Sequence, residues 1–592
     1  MHAGRPCQRH TVTSSPQSVD SFAVAAANPG SRQPSSTAPT PNAMLASAAP
    51  AALAAVIFFF NLWRYGLWEP DEARYAEIAR EMVSGGSRLI PHLNYVIYVE
   101  KPPLLYWLTS LSFAVLGINE FAARLFVALF GVLGVAATAW FAARCFGTRH
   151  ALVAGGILAT TPLYATMAQV LTTDMMLTTF VTIANFALFL HWREGGRWCW
   201  LGYVAIALGV LTKGPVAVIL PLLGMLGFLV WERDWREVIA RFRVLAGLGL
   251  VVVISAPWFI TMSALVPGYF DFYFVGEHLR RAFQVSYSHG EPFYFYLPVL
   301  LAGLLPWSLL MPFLTWRRLE PNPARRFCVA AAVTTSVVFS CASAKLIPYI
   351  LPAVPPIAIL IADGIISCVW PLEAQGRAVA PPDSRILAES GPLLGILGAV
   401  AIAAGLFAAR FTSPYPIYMQ PALLGVGAVL VVGGAIITAL FLGRRNGAGI
   451  AALILTMAFA LMGASWARIE AEPLRSYAAL AREIARRAPD AKVICYHRYM
   501  QALPFYTRRR VVLVGARTEL GFGSRLAPEA SEYFLRNDAD LLRLWQTAGE
   551  KVLVLDESDL TRLSEQLGTF SVIGGEFHKR AIEKPSERAH RE

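Results

Sequence analysis

Long apolar runs dominate the chain between residues 45 and 466. At roughly 20 apolar residues for each membrane crossing, they predict about thirteen transmembrane helices. A shorter apolar piece, Pro102 to Leu116, begins with two prolines, and we expect it to lie along the outer membrane surface. The pattern therefore predicts a polytopic α-helical membrane protein. The runs lie near residues 45–65, 122–143, 150–168, 175–192, 198–211, 216–231, 244–263, 294–315, 327–342, 349–367, 391–409, 421–442 and 449–466.

The pattern changes near residue 468, where short strand-like runs alternate with helical segments. Helical periodicity marks residues 474–487, 540–547 and 558–567, and strand-like runs lie at 492–496, 511–514 and 551–555. This alternation predicts a small, soluble, three-layer α/β domain over residues 468–592. We interpret it as an accessory unit, because it contains neither a GxGxxG nor a Walker sequence. Residues from about 580 are expected to form a mobile tail.

The first 44 residues differ from both regions. They are rich in Ser, Pro, Thr, Gln and Ala and lack the early apolar core of a signal peptide. We expect a disordered cytoplasmic tail, or translation from a start upstream of Met44.

Composition supports a membrane protein and argues against nucleic-acid binding. The chain of 592 residues is 56% hydrophobic and 15% charged, more apolar than a soluble protein needs. Its net charge is +12, but the arginines are spread over short loops rather than gathered in one basic patch. The 7 cysteines show no CxxC spacing, so we predict neither a disulfide framework nor a cysteine zinc site.

The arginines occupy alternate loops and so predict the orientation of the spans. Because basic residues are enriched in cytoplasmic loops, the Arg-containing loops should be cytoplasmic. The N-terminus is then cytoplasmic and the C-terminal domain lies outside. These arginines are Arg144, Arg149, Arg193, Arg197, Arg233, Arg236, Arg241, Arg243, Arg317, Arg318, Arg325, Arg326, Arg377, Arg385, Arg444 and Arg445.

A charged motif, WEPDEARYAE at residues 68–77, directly follows the first apolar run. Pro70 suits the first turn of a helix, and Asp71 and Glu72 favour its positive end. Asp71 and Tyr75 are four residues apart and share a helix face, with Arg74 beside them. The motif fits a site at the membrane boundary; a capped amphipathic helix on the membrane surface is the alternative.

Three further segments on the same predicted side carry charge: the connection before span four, the loop of residues 264–293, and residues 345–349. Charged groups drawn from separate loops to one membrane face favour a functional site over isolated headgroup contacts. The charged residues concerned are Asp174, Asp271, Glu277, His278, Arg280, Arg281 and Lys345.

These residue types suit transfer from a lipid-phosphate-linked donor. Lys101, which is followed by two prolines that fix its direction, can hold a phosphate, as can Lys345, Arg280 and Arg281. Such cations stabilise a departing phosphate, and a carboxylate such as Asp71 can activate an acceptor or stabilise positive charge on a sugar ring. For each cation alone, contact with a lipid headgroup is the alternative.

These motifs resemble those of the polyprenyl-phosphate-dependent glycosyltransferases of the GT-C type, which include protein O-mannosyltransferases. The likeness rests on WEPDEARY at residues 68–75, EKPP at 100–103, Thr-Asp at 173–174 and KLIPY at 345–349. It rests also on the thirteen spans with a soluble domain after them, and it covers most of the chain from residue 45 onward. Within this group the chain is most similar to the bacterial lipid A aminoarabinose transferases.

The resemblance implies a GT-C fold and an inverting transfer of 4-amino-4-deoxy-L-arabinose from undecaprenyl phosphate to a lipid A phosphate. The reaction would take place on the periplasmic face of the bacterial inner membrane, and we expect a monomer. By motif match, the catalytic acids are Asp71 and Asp174, and Glu100 and His278 are candidate ligands of a divalent metal, zinc or magnesium, without a visible third ligand. The expected substrate-binding residues are Glu72, Arg74, Tyr75, Lys101, Arg280, Arg281, Lys345 and Tyr349.

Three alternatives stay open at the level of sequence. Another GT-C enzyme would use a different sugar or acceptor, and a protein hydroxyl acceptor would need Asp71 as a base. A lipid or solute transporter should carry charges near mid-membrane and often an internal repeat, whereas Asp174, Lys213 and Lys345 lie near span ends. A non-catalytic scaffold would leave the motifs around Asp71 and Lys101 unexplained.

Overall fold

The computed structural model describes residues 41–234, 241–280, 291–313, 322–370, 372–374, 377–379, 385–410, 418–576 and 578–584. The tail predicted for residues 1–44 lies outside these ranges except for residues 41–44, which begin the first helix. The described chain is mostly helical up to Glu470 and turns into a mixed sheet with helices beyond it.

The helices of the first part alternate between long apolar rods and short connecting pieces. They are, in chain order, α1 (Pro41–Phe59), α2 (Asp71–Val83), α3 (Leu104–Leu116), α4 (Glu120–Phe146), α5 (Thr148–Ala159), α6 (Pro162–Met167), α7 (Thr173–Glu194), α8 (Trp198–Lys213), α9 (Val216–Glu232), α10 (Val244–Leu265), α11 (Tyr296–Gly303), α12 (Trp307–Leu310), α13 (Pro323–Cys341), α14 (Val354–Val369), α15 (Arg385–Ala388), α16 (Ser390–Leu406), α17 (Gln420–Leu442) and α18 (Asn446–Glu470). A π-helix covers Asp271–Arg280, and 3₁₀ turns cover Phe293–Phe295, Met311–Phe313, Ile347–Ala353 and Ala408–Arg410.

Seven helical stretches among the described residues are long and apolar enough to cross a membrane, and six shorter apolar helices accompany them. The long stretches are Glu120–Phe146, Thr173–Glu194, Val244–Leu265, Pro323–Cys341, Ile347–Val369, Gln420–Leu442 and Asn446–Glu470. The polytopic helical protein predicted from the apolar runs is therefore confirmed.

Some predicted spans are interrupted, and proline accounts for the breaks. The run at 150–168 divides into α5 and α6 before Pro162, because a proline disfavours helical backbone in the residue before it. The run at 294–315 divides in the same way around Pro306. At 13 residues, α3 measures about 20 Å at the usual helical rise, which is shorter than a membrane core of about 30 Å.

A two-stranded hairpin lies between α2 and α3. Its strands, β1 (His92–Leu93) and β2 (Val96–Ile97), pair antiparallel. The two turn residues, Asn94 and Tyr95, have φ values of 53° and 63°, the left-handed conformation that tight hairpin turns require. A second small hairpin pairs β3 (Leu372–Ala374) with β4 (Arg377–Val379).

The C-terminal domain is a six-stranded mixed sheet in the order β7–β6–β5–β8–β10–β9. The strands are β5 (Lys492–Tyr496), β6 (Val512–Val514), β7 (Phe534–Leu535), β8 (Lys551–Asp556), β9 (Ser571–Glu576) and β10 (Lys579–Lys584). The helices are α19 (Glu472–Arg475), α20 (Ala478–Arg487), α21 (Ala502–Thr507), α22 (Gly523–Leu526), α23 (Ala530–Tyr533), α24 (Asp538–Gln546) and α25 (Glu557–Leu567), with a 3₁₀ turn at Thr518–Leu520.

Alternate residues of β5 face opposite sides of this sheet, as a strand requires. Val493 and Cys495 pack into the core shared with α20 and with the helical part of the chain. Ile494 and Tyr496 pack into a second core with α24 and α25. The small α/β domain with helices on both faces is therefore confirmed.

The mobile tail predicted from about residue 580 is wrong over its first residues. Lys579–Lys584 form β10, which pairs with both β8 and β9. Ala581 and Ile582 are fully buried, and the Lys579 ammonium lies 2.8 Å from the Asp556 carboxylate. Buried apolar side chains and a paired lysine keep a sequence rich in charge inside the sheet.

Candidate active site

The first acid of the charged motif begins α2 and stays accessible. Asp71 is the first residue of α2, and its side chain is 52% exposed. The Arg74 guanidinium, one helical turn later, lies 3.2 Å from the Asp71 carboxylate. The spacing of three residues places both on one helix face. Arg74 thus fixes the direction of the Asp71 side chain, which remains accessible to a ligand.

The second acid, Glu72, points into the protein instead. It is 1% exposed, and the Arg124 guanidinium donates to its two oxygens at 2.8 and 2.7 Å. The backbone N–H groups of Leu171 and Trp68 donate to the same carboxylate at 2.9 and 3.0 Å. Glu72 therefore ties α2 to α4 and to the segment just before Asp174.

Tyr75 lies where several carboxylates meet. Its buried ring packs 5.8 Å from the ring of Tyr106. Burial raises the pKa of the Tyr75 hydroxyl, and the negative charge of Asp71, with smaller contributions from Asp174 and Glu100, raises it further. A shift of this kind requires the charges to be near the hydroxyl. The structure therefore brings these three predicted acids together around one side chain.

Arg74 is shared by three carboxylates. In addition to Asp71, its guanidinium lies 3.9 Å from Glu100 and 3.6 Å from Glu519. Glu100 also accepts a hydrogen bond from the Tyr98 hydroxyl at 3.1 Å. Glu519 belongs to the C-terminal domain, so that domain contributes to the surroundings of the predicted site.

A second cluster joins Asp174 to a lysine that the motifs do not identify. Asp174 lies in the first turn of α7, and the Lys213 ammonium at the end of α8 donates to its carboxylate at 2.5 Å. The same ammonium lies 4.2 Å above the centre of the Tyr349 ring. Two predicted site residues are therefore linked through Lys213. The only sequence signal for it is a single charge that ends an apolar run before a Gly-Pro pair.

The two other predicted lysines lie in different surroundings. Lys345 is buried, and its ammonium donates to the backbone carbonyls of Ala342 at 2.7 Å and Glu291 at 2.9 Å. Lys101 is half-buried beside Glu100 at the entry to α3. Lys345 is engaged by the backbone, whereas Lys101 stands next to the acids around Arg74.

The remaining predicted residues lie at the edge of the described chain. His278 and Arg280 belong to the π-helix Asp271–Arg280, but their side chains, like the whole of Arg281, lie outside what the structure describes. Within the described ranges, no group of three or more His, Cys, Asp or Glu side chains is arranged to hold a metal ion. Metal binding by Glu100 and His278 stays a prediction.

The C-terminal domain docks beside the start of α2. The Ala502 N–H donates to the half-buried Glu69 carboxylate at 2.6 Å. Desolvation under the docked domain raises the pKa of Glu69 to about 7, although the Ala502 hydrogen bond opposes the shift. A carboxyl group that titrates near neutrality therefore lies two residues before Asp71.

Two family descriptions match this chain. The dolichyl-phosphate-mannose-protein mannosyltransferase family matches residues 100–260, which include Lys101, Asp174 and Lys213. The aminoarabinose transferase C-terminal domain matches residues 480–584, which form most of the sheet domain.

Curated relatives share about a third of the residues that align with this chain. An undecaprenyl phosphate-alpha-4-amino-4-deoxy-L-arabinose arabinosyl transferase from Erwinia tasmaniensis is 31% identical over 361 residues, which are 59% of this chain and 63% of the relative. A second transferase of that name, from Pseudomonas fluorescens, is 32% identical over 389 residues, which are 64% of each chain. The chain thus spans less than two thirds of the length of these relatives.

Structural similarity extends over a longer part of the chain. The crystal structure of ArnT from Cupriavidus metallidurans bound to undecaprenyl phosphate matches with a TM-score of 0.79 and 25% identity, over 91% of this chain and 98% of that one. The apo structure of the same protein matches with a TM-score of 0.77. These findings confirm the resemblance predicted from the motifs, and they show that the chain has a GT-C fold followed by a small sheet domain.

Proposed function

We propose that this chain, which has the GT-C fold, transfers 4-amino-4-deoxy-L-arabinose from undecaprenyl phosphate to a phosphate group of lipid A. The name shared by the curated relatives supports both the sugar and the carrier. The match of residues 480–584 to an aminoarabinose transferase domain favours this sugar over mannose. The mannosyltransferase match covers only residues 100–260 within the helical part of the chain.

The observation that carries the proposal is the gathering of acids and cations at one end of the helices. Three separate helices supply the accessible Asp71 carboxylate, the Asp174 carboxylate and the Lys213 ammonium. The charges of both carboxylates act on Tyr75, and the ammonium lies over the ring of Tyr349. Partly buried charged groups near a membrane cost free energy, so they often mark a functional site. A lipid-linked sugar phosphate needs such a mixed site, with cations for the phosphate and acids for the sugar.

In the proposed reaction, the bond between sugar C1 and the undecaprenyl phosphate oxygen breaks, and its electron pair stays on the leaving phosphate. An oxygen of the lipid A phosphate forms the new bond to C1 from the opposite face. A phosphate monoester is largely ionised at neutral pH, so it needs little help from a base. Asp71 then orients the acceptor or stabilises the positive charge that develops on the sugar ring.

The leaving phosphate requires positive charge. Lys213 and Lys101 supply it, with Asp174 holding the Lys213 ammonium in place. Tyr349, under the Lys213 ammonium, bounds this subsite. Glu72 and Lys345 act as positioning residues, because their charged atoms already bond to protein groups.

The membrane orientation predicted from the arginines is also the one proposed for the chain in the cell. The site faces the periplasm of the bacterial inner membrane, together with the C-terminal domain, and the Arg-rich loops face the cytoplasm. The protein reaches the lipid A acceptor in the outer leaflet of that membrane. It acts as a monomer. Adding an amino sugar to lipid A reduces the negative charge that attracts cationic peptides such as polymyxin.

Mass spectrometry of lipid A tests this proposal. A polymyxin-sensitive strain that makes the donor but lacks the transferase is complemented with the wild type, Asp71→Ala, Asp174→Ala or the control Asp490→Ala. Asp490 is exposed on the C-terminal domain, away from the site. We expect an aminoarabinose mass shift with the wild type and the control, and its loss in Asp71→Ala and Asp174→Ala at equal membrane expression.

Two results would contradict the proposal. Absence of the mass shift with well-expressed wild type would move the assignment to another sugar or acceptor, such as a protein hydroxyl group. A rate for Asp71→Asn close to that of the wild type would exclude both roles assigned to Asp71.

A further inference from the structure

The C-terminal domain places one carboxylate at the site. Glu519 lies in the 3₁₀ turn Thr518–Leu520, and its side chain is 15% exposed. One of its oxygens lies 3.6 Å from Nε of Arg74. The buried Gln501 side-chain amide donates a hydrogen bond to the same oxygen. The carboxylate is therefore held from its own domain while it faces the helical part of the chain.

Docking of the domain fixes the position of this carboxylate. On one side of Glu519 along the chain, the Asn94 side chain exchanges two hydrogen bonds with the backbone of Val511, both at 2.9 Å. On the other side, a Cβ added at Gly523 would lie 2.0 Å from the Ile97 carbonyl oxygen. The hairpin β1–β2 thus holds the chain on both sides of Glu519, so the fold fixes the position of this acid beside the site.

Among the described side chains, acids outnumber bases around Arg74. Three carboxylates, from Asp71, Glu100 and Glu519, lie within 4 Å of the single Arg74 guanidinium. The Lys213 ammonium is bonded to a fourth acid, Asp174. Counted over the described side chains alone, these three carboxylates exceed the charges of Arg74 and the neighbouring Lys101 by one. Such an excess repels a phosphate and attracts a cation.

Two buried polar atoms beside these acids make no hydrogen bond that satisfies the usual distance limit. Nε of Arg74 and the hydroxyl of Tyr106 have no hydrogen-bond partner within the described part of the chain. Tyr106 is fully buried, and its hydroxyl lies near enough to Tyr75, Arg74, Glu100 and Asp71 for their charges to act on it. Buried polar groups nearly always find a partner, so these atoms point to a polar ligand in the same place.

We infer that Glu519, together with the excess of carboxylates around Arg74, binds the ammonium group of the donor amino sugar. This inference rests on the proposed function and adds a specificity-determining residue from the C-terminal domain. The amino group is on C4 of the pentose, away from C1 where the bond breaks, so its subsite must differ from that of the reacting atoms. Asp71 and Glu519 lie next to different nitrogens of Arg74. Asp71 can therefore act at the reacting atoms while Glu519 binds the amine.

A pair of donors tests the inference. Purified full-length protein in liposomes with a lipid A acceptor is given undecaprenyl phosphate linked either to aminoarabinose or to arabinose, in which a hydroxyl replaces the amine. We expect the wild type to prefer the amino sugar by roughly 10- to 100-fold in kcat/KM, because a charged hydrogen bond is lost with the neutral sugar. Glu519→Gln should reduce this preference to less than about 3-fold, by raising KM for the amino sugar alone.

Control variants separate recognition from folding. Glu529→Gln removes a carboxylate of the same domain that pairs with Arg510 at 3.0 Å, and it should keep the wild-type preference. Glu519→Asp keeps the charge and should retain part of the preference. An equal loss with both donors in Glu519→Gln would indicate a structural role and overturn the inference, as would an unchanged preference.

The transfer activity and the amine subsite can be disproved separately. If the wild type transfers neither sugar, the proposed function falls and the amine subsite falls with it. If the wild type transfers aminoarabinose and Glu519→Gln discriminates between the donors as the wild type does, only the amine subsite falls.

Discussion

The two ends of the helical bundle handle charge in different ways. At the end away from the site, several acids each face a base: Glu194 lies 2.7 Å from Arg144, and Glu232 lies 2.9 Å from Arg326. Asp363 lies 2.5 Å from Arg325 and 3.2 Å from His150. At the site end, one guanidinium serves three carboxylates, two of which come from outside α2.

Under the proposed function, this difference separates charges that hold helices together from charges that bind a ligand. A paired acid and base at the end of a span satisfy each other and need no further partner. An excess of acids in partly buried surroundings is unfavourable in the empty protein and becomes favourable when a cation arrives.

The largest expected effect comes from the fully buried pair of Glu72 and Arg124 at the site end. Glu72→Gln leaves the Arg124 guanidinium buried without its counter-charge, which should cost about 3–5 kcal/mol of stability. Thermal unfolding in detergent and the amount of protein in membranes measure this loss. Glu483→Gln, on an exposed face of α20, should unfold like the wild type. Normal stability of Glu72→Gln would remove the distinction between Glu72 and its neighbour Asp71.

A pH dependence should arise from Glu69, an acid that is desolvated beneath the docked C-terminal domain. Burial raises the pKa of Glu69 from 4.5 to about 7, which favours the neutral form in the folded protein. Its contribution to stability is therefore complete below about pH 4.5 and is lost as the pH rises through 7, by at most about 3 kcal/mol. Unfolding temperatures between pH 4.5 and 8 should decline more in the wild type than in Glu69→Gln. Equal declines would contradict this assignment.

The link between Asp174 and Lys213 should affect activity as well as stability. Lys213→Met removes the ammonium assigned to the leaving phosphate, and we expect kcat to fall by roughly 10- to 100-fold. Lys213→Arg should restore part of the rate. Because the two residues act as one unit, Asp174→Asn combined with Lys213→Met should be no slower than the worse single variant. Additive losses in a kinetic double-mutant cycle would show that the two act separately.

The smallest effect is expected at the opposite end of the bundle. Arg144 and Glu194 pair with each other, so replacing both with Gln removes both charges together and should change stability by less than about 1 kcal/mol. Lipid A modification should proceed at the wild-type rate. A loss of activity in this variant would mean that the two ends are coupled. It would contradict the assignment of a structural role to this end and a functional role to the other.

The sequence was sufficient for the parts of the fold that depend on local pattern. Apolar length predicts membrane spans because the hydrocarbon core has a fixed thickness, and strand alternation predicts β5, β6 and β8 because side chains alternate across a sheet. The Asp71, Lys101 and Asp174 motifs predict a site at one end of the bundle because each directly flanks an apolar run.

Only the tertiary structure decided what each charge does. Asp71 and Glu72 are neighbours in the chain, yet about 100° of helical rotation exposes one and buries the other against Arg124. Lys213 and Glu519 lie far from the motifs, and no local pattern marks them as parts of the site surroundings. Partnerships between charges depend on distances of a few ångströms between segments that are far apart in sequence, and such distances are set only when the helices and the C-terminal domain pack together.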